Sequence, residues 1–247
     1  MFKIERAIIM AAGLGSRLRP ITNEIPKPLV KVNGVRMIDT VISGLIKNEI
    51  TEIYIVVGYL KEQFSSIVEQ YIGVKSSTGN VVTISLIENP FYDKCNNISS
   101  LYVARNYLTE CVIIDGDQVI KNCDILNPNV DRSCYCSSWT EGYTNEWLQT
   151  VDEKEIVVEC SRTGGTQGWE LHGISFWSKE DCQKLKKQLI FEFEEKKNYQ
   201  IYWDDLAMFY YRDKYKLGIR KIYKEDVVEI DNIEELMQID ASYKQED

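Results

Sequence analysis

The 247 residues carry 29 Lys and Arg against 38 Asp and Glu, a net charge of −9, which argues against nucleic acid or an anionic membrane as partner. With 44% hydrophobic and 27% charged residues, the chain has an ordinary soluble composition and can bury one large α/β core or two small ones. It shows no signal peptide and no apolar run of membrane-spanning length, so a cytoplasmic protein is expected.

The first apolar run, residues 4–10, reads as a buried strand. It empties into Ala11-Ala-Gly-Leu-Gly-Ser-Arg-Leu-Arg-Pro20, followed by Pro26-Lys27-Pro28. Gly13 and Gly15 let the backbone turn tightly and present N–H groups, while Arg17, Arg19 and Lys27 add cations that pair with phosphate oxygens. The loop around Ala11, Ala12, Gly13 and Gly15 therefore reads as a cradle for a nucleoside triphosphate. It is neither a Walker loop, whose Gly-x-x-x-x-Gly-Lys spacing is absent, nor a dinucleotide fingerprint, because Leu18 stands where the third glycine belongs.

A helix over 35–48, a strand over 52–57, a helix over 60–71, a Gly/Ser-rich turn over 73–80 and a strand over 81–87 follow. A helix over 99–107 leads to a strand over 111–114 that ends in Asp115-Gly-Asp117. This order predicts an α/β fold with a Rossmann-like, mostly parallel sheet flanked by helices. Ligands of such sheets sit beyond the carboxyl ends of the strands, where both the Gly-rich loop and the Asp-Gly-Asp loop fall.

From 126 onward the pattern changes. Short strands over 133–140, 148–151, 156–160 and 173–177 read as mostly antiparallel, followed by a helix over 179–197, strands over 217–222 and 227–230, and a closing helix over 233–243. With no linker or repeat in the chain, one continuous domain is expected over 1–247: a nucleotide-binding half (1–125) and an acceptor-binding half (126–247) acting as a smaller lid or platform. The seven cysteines lack a Cys-x-x-Cys spacing and His172 is the single histidine, which disfavours a zinc site and suggests reduced, mostly buried thiols.

Asp115-Gly-Asp117 at a strand end suits magnesium, which takes one or two carboxylates plus phosphate oxygens. Glu229-Ile-Asp231 ends a late strand, although Asp231 also fits a helix N-cap. The parts suit nucleotidyl transfer: an acceptor phosphate oxygen attacks the α-phosphorus and pyrophosphate leaves. The nucleophile is already an anion, so a protein base is not needed and a catalytic role for His172 is not expected. Arg17 is expected to stabilise the departing pyrophosphate and Lys27 to hold phosphate near the reacting centre. All five tryptophans follow residue 138, and two segments, Thr144-Asn-Glu-Trp147 and Tyr202-Trp-Asp-Asp205, combine aromatics with acids. Aromatic faces beside a carboxylate are what a quaternary ammonium requires, at roughly 0.5–2 kcal/mol per cation–π contact.

The loop and its later Pro-Lys-Pro resemble the signature of nucleotidyltransferases that activate small phosphorylated compounds. Along nearly its whole length the chain resembles the bacterial CTP:phosphocholine cytidylyltransferases. The matching segments include Val57-Gly-Tyr-Leu-Lys-Glu-Gln-Phe64, Asn96-Asn97 with Ser100-Leu101, Gly173-Ile-Ser-Phe-Trp177 and both aromatic–acid segments. The resemblance implies CTP and phosphocholine as substrates, CDP-choline and pyrophosphate as products, and Mg²⁺ held by Asp117 and Asp231. It places Asn97, Ser100 and Asp115 with the nucleotide, and Glu146, Trp147, Tyr202, Trp203 and Asp204 with the acceptor.

Two departures stand out: Ile98-Ser99 where an aromatic residue is expected, and Asp-Gly-Asp in place of Asp-Ala-Asp. They leave phosphoethanolamine or 2-aminoethylphosphonate open as acceptor. A sugar-1-phosphate nucleotidyltransferase and a nucleotide-binding regulatory subunit without turnover are the remaining alternatives.

Overall fold

The computed structural model describes residues 1–244. A nine-stranded mixed sheet runs through it. Strands β1 (Arg6–Ala11), β2 (Glu52–Val57), β3 (Thr83–Glu88) and β4 (Cys111–Asp115) pair in parallel, in the order β4-β1-β2-β3. β1 is central and covered on both faces, which is why its sequence is a continuous apolar run. Ile9 packs with Ile38 and Phe64 on one side, while Ile8 packs with Leu101 and Leu185 on the other. Helices α1 (Met37–Lys47) and α2 (Ser65–Gln70) cover the first face, and α3 (Ile98–Ala104) lies over the second.

A three-residue strand, β5 (Gln118–Ile120), follows β4, and the second half extends the same sheet. β6 (Cys134–Thr140), β7 (Leu148–Val151), β8 (Val157–Ser161) and β9 (Gly168–Trp177) pair antiparallel with one another, in the order β8-β7-β9-β6, and β9 runs antiparallel along β4 with Ile174 opposite Ile114. α4 (Lys179–Ile190) packs on the second face. β10 (Gly218–Lys221) then runs parallel to β6, and β11 (Val227–Glu229) pairs with β5, before the last helix, α5 (Ile233–Ile239). The antiparallel region is thus continuous with the parallel one. None of the described helices is long and apolar enough to cross a membrane.

Element boundaries differ from the sequence expectation for local reasons. Val35–Arg36 is a strand paired with Lys31–Val32, so α1 begins two residues later than predicted. Leu60 adopts φ 48, outside the helical region, and the chain makes a 3₁₀ turn over Lys61–Phe64 before α2. The predicted helix over 179–197 is α-helical only to Ile190 and continues as a π turn to Glu195. β9 starts five residues earlier than expected, at Gly168, because its first half is sandwiched between β6 and β7. The thiols are all free, and four of the seven are buried.

Candidate active site

β1 delivers the chain into the Gly-rich loop at the carboxyl edge of the sheet. Gly15 has φ 60, and a Cβ on it would lie 2.9 Å from Lys27 Cβ and 3.1 Å from Thr22 Cγ2. Only glycine lets the loop fold this closely against the Pro26–Pro28 turn. The Thr22 hydroxyl fixes it by donating to the Gly15 carbonyl at 2.8 Å. Nothing lies within 4 Å of where a Gly13 Cβ would be, so the backbone there faces an open cleft. Ala11 and Ala12 form the floor of that cleft.

An ionic cluster closes one end. Lys27, only 6% exposed, places Nζ 2.6 Å from Asp117 Oδ2 and 3.3 Å from Asp231 Oδ1. Arg17, largely exposed, grips Asp231 with both terminal nitrogens at 2.8 Å. The two acids meet because β11 lies antiparallel to β5 with Glu229 opposite Gln118, which brings the end of β11 beside Asp117. The N-cap of α5 is Asn232, whose side chain accepts from Glu235 N at 2.9 Å. That corrects the capping role considered for Asp231 and leaves its carboxylate free to face the cations. Burial works against the Lys27 ammonium, but the charge and hydrogen bond of Asp117, with Asp231 behind them, outweigh it and raise its pKa.

A third acid, Glu229, joins the cluster, and desolvation with repulsion from Asp117 and Asp231 pushes its pKa up. The sequence shows it only as the last residue of a strand. Glu146 stands at the rim, where partial desolvation and the charge of Asp231 also raise its pKa. Among the described residues, no three His, Cys, Asp or Glu side chains are arranged to hold a metal unaided. Two carboxylates converging on one ammonium nevertheless match what magnesium takes from a protein when phosphate and water complete its shell. The donor set fits.

Asp115 lies deeper. Burial, then Asp117 and Asp204, push its pKa well up. Gly173 on β9 makes room for it: a Cβ there would stand 2.2 Å from Asp115 Oδ2 and 2.7 Å from Gln118 Nε2. The Gln118 amide is fully buried without a partner among the described residues. Asn97 and Ser100, at the amino end of α3, line the cleft on the loop side. Asn97 Oδ1 accepts from Trp203 N at 2.9 Å, and Ser100 Oγ accepts from Asn89 Nδ2 at 3.0 Å. Tyr92, which lines the same wall, escaped the sequence reading.

Trp147, Tyr202, Trp203 and Asp204 also line the cleft. Trp147 and Tyr202 meet edge to face at 5.8 Å. Trp203 is 3% exposed and stacks on Tyr135 at 6.3 Å, with Trp177 at its edge. Its ring is therefore part of the core, and only its margin borders the cleft. The adjacent acids have different partners. Asp205 is paired with Arg162, whose guanidinium also lies 3.8 Å over Phe209. Asp204 accepts the Tyr135 hydroxyl at 2.9 Å and has no ion pair among the described residues. Burial pushes its pKa up to about 7.

The cleft has a volume of about 590 Å³. Of the residues singled out from the sequence, the glycine loop, Arg17, Lys27, Asn97, Ser100, Asp115, Asp117, Glu146, Trp147, Tyr202, Trp203, Asp204 and Asp231 border it, whereas Arg19, expected to pair with phosphate, is exposed and lies outside its lining. A strand-end glycine loop, an Asp-Gly-Asp turn and a Lys–Asp–Arg cluster on a parallel sheet define the nucleotidyltransferase class. The chain belongs to the nucleotidyl transferase family, whose model matches residues 6–132.

Two relatives that match along nearly the whole chain are cytidylyltransferases. The chain is 36% identical to the 2-aminoethylphosphonate cytidylyltransferase of Lancefieldella rimae, over 96% of this chain and 92% of that protein. It is 32% identical to the choline-phosphate cytidylyltransferase of Streptococcus pneumoniae, over 98% and 99%. The solved structure of the CTP:phosphocholine cytidylyltransferase from Streptococcus pneumoniae superimposes with a TM-score of 0.86 at 30% identity, covering 98% of this chain and all of that one. These likenesses support cytidylyl transfer as the activity.

Proposed function

We propose that the chain transfers the cytidylyl group of CTP to a small phosphorus acid bearing a cationic nitrogen, with 2-aminoethylphosphonate favoured over phosphocholine. The observation that carries this reading is Asp204, a sheltered carboxylate at the cleft that lacks a cation partner among the described residues while Asp205 beside it has one. A carboxylate recognises a primary ammonium through N–H donors, which a trimethylammonium does not have. The aromatic residues offer edges more than free faces, since Trp203 is packed on Tyr135 and Trp147 meets Tyr202 and Phe209 edge-on. Phosphocholine remains the second reading, favoured by Trp147 and Tyr202 at the rim and by the pneumococcal relative.

In the reaction, an acceptor phosphonate or phosphate oxygen forms a bond to the α-phosphorus. The bond from the α-phosphorus to the bridging oxygen breaks, and its electron pair leaves with pyrophosphate. The backbone of the Gly13–Gly15 loop holds the triphosphate, Arg17 stabilises the leaving pyrophosphate, and Lys27 neutralises charge at the reacting phosphoryl group. Asn97, Ser100 and Asp115 hold the nucleoside side. Asp117 and Asp231 would hold a Mg²⁺ ion, which would add charge neutralisation on the phosphates.

Pyrophosphate release with CTP and Mg²⁺ is the test, against 2-aminoethylphosphonate, phosphoethanolamine, phosphocholine and glucose 1-phosphate. The primary amines are expected to give the highest kcat/KM. Preference for phosphocholine returns the aromatic-box reading, and turnover with the sugar phosphate alone overturns both.

Acidity gives a second check. Asp204 binds a cation only when ionised, and its pKa is raised to about 7. Acceptor kcat/KM is therefore expected to fall as pH drops through about 7 and to level off at higher pH. Because a phosphate acceptor itself titrates near about pH 6, Asp204→Asn is the reference. A wild-type profile that matches this variant in shape counts against Asp204 as the cation's partner.

A further inference from the structure

We infer that Tyr135 is a positioning residue for acceptor recognition: its hydroxyl, held rigidly in the sheet, fixes the Asp204 carboxylate in the orientation that meets the acceptor's nitrogen. This rests on the reading that Asp204 is the nitrogen's partner.

Tyr135 is 1% exposed and lies on β6 between two paired strands, opposite Ser175 on β9 and Ile219 on β10. Its ring is set between Trp177, edge-on at 6.0 Å, and Trp203, stacked at 6.3 Å. The register of β6 shifts immediately after it, between Tyr135 and Ser137. Irregularities of this kind re-aim a side chain next to an active site. Here the phenol reaches the cleft wall, and its hydroxyl donates to Asp204 Oδ1 at 2.9 Å.

The segment carrying Asp204 is also held from the other side, where Asn97 Oδ1 accepts from Trp203 N. Two anchors therefore fix a carboxylate that has one oxygen committed and, among the described residues, no cation on the other. The remaining ionisable groups near it do not compensate its charge: Asp205 is paired with Arg162, and Asp115 and Cys160 bring no positive charge. A donor that stabilises the ionised form is what keeps this sheltered acid available to a cation.

Tyr135→Phe removes only the oxygen. With 2-aminoethylphosphonate, KM is expected to rise about tenfold or more, while kcat and the KM for CTP stay within about twofold. The fall in acceptor kcat/KM with decreasing pH should also begin at higher pH than in the unmodified protein. Ethylphosphonate, which has no nitrogen, should be used equally well by both.

Equal losses with both acceptors, or a lowered kcat with a raised KM for CTP, assign Tyr135 a purely structural role and overturn the inference. An unchanged amine KM in Tyr135→Phe, with a raised KM in Asp204→Asn, overturns it as well while leaving Asp204 in place. An unchanged amine KM in Asp204→Asn removes the underlying reading and the inference with it.

Discussion

Lys27→Ala is expected to lower kcat for pyrophosphate release by about 10²–10³-fold, the loss typical of one preorganised donor to developing charge. The side chain cannot be replaced by solvent at no cost. It is almost fully enclosed, and it is the cation that Asp117 and Asp231 share. Without it, the two carboxylates and Glu229 repel one another where an anionic triphosphate must also enter. KM for CTP is therefore expected to rise as kcat falls. Lys27→Met keeps most of the stem and separates charge from packing: it should lose nearly as much turnover with a smaller change in melting temperature. A loss below about tenfold in a folded Lys27→Met protein would show that the ammonium is structural.

Asp117→Ala is expected to cost about 10³-fold in turnover, and to raise the Mg²⁺ concentration needed for half-maximal rate. Its carboxylate makes the 2.6 Å contact to Lys27, and on the proposed reading it would also offer oxygen to a divalent cation. The paired variant tests whether these are one unit. If the Lys27–Asp117 pair acts together, the double substitution should lose little more than the worse single one, because interacting groups are far from additive. Full multiplicative losses in the double variant would mean that the two side chains serve separate steps. Steady-state pyrophosphate release across a Mg²⁺ titration supplies both numbers.

Much of this site was legible beforehand, for specific reasons. The Gly-rich loop and the Asp-Gly-Asp turn follow long apolar strands, so their place at the carboxyl edge of a parallel sheet could be read from periodicity alone. Lys27 and Arg17 stood out because cations next to a tight glycine turn have few structural uses. The pairing of β11 with β5 was not legible: three residues on each side are too short for a period-2 signal, and that pairing is what brings Glu229 into the cluster. Tyr135 was invisible too. In the run Cys134-Tyr-Cys-Ser-Ser it reads as core, and its ring is core; only the hydroxyl reaches a carboxylate.

Trp203 differs from the expectation in another way. An aromatic beside an acid suggests an open face, yet the ring is buried against Tyr135 and Trp177, with only its margin at the cleft. Asp231 and Asn232 are adjacent and both fit a cap, so only the structure separates them.

The Arg17 to Asp231 and Lys27 to Asp231 contacts span 214 and 204 residues of sequence. The glycine loop is therefore synthesised well before its acidic partner. A growing chain that has not yet reached β11 lacks Asp231 and Glu229 and with them the complete ionic cluster. The closing contacts also carry a large loop-closure entropy. Loosening of β11 and α5 would therefore silence the chemistry while the central sheet stays folded, which makes turnover a more sensitive gauge of the C-terminal segment than global unfolding.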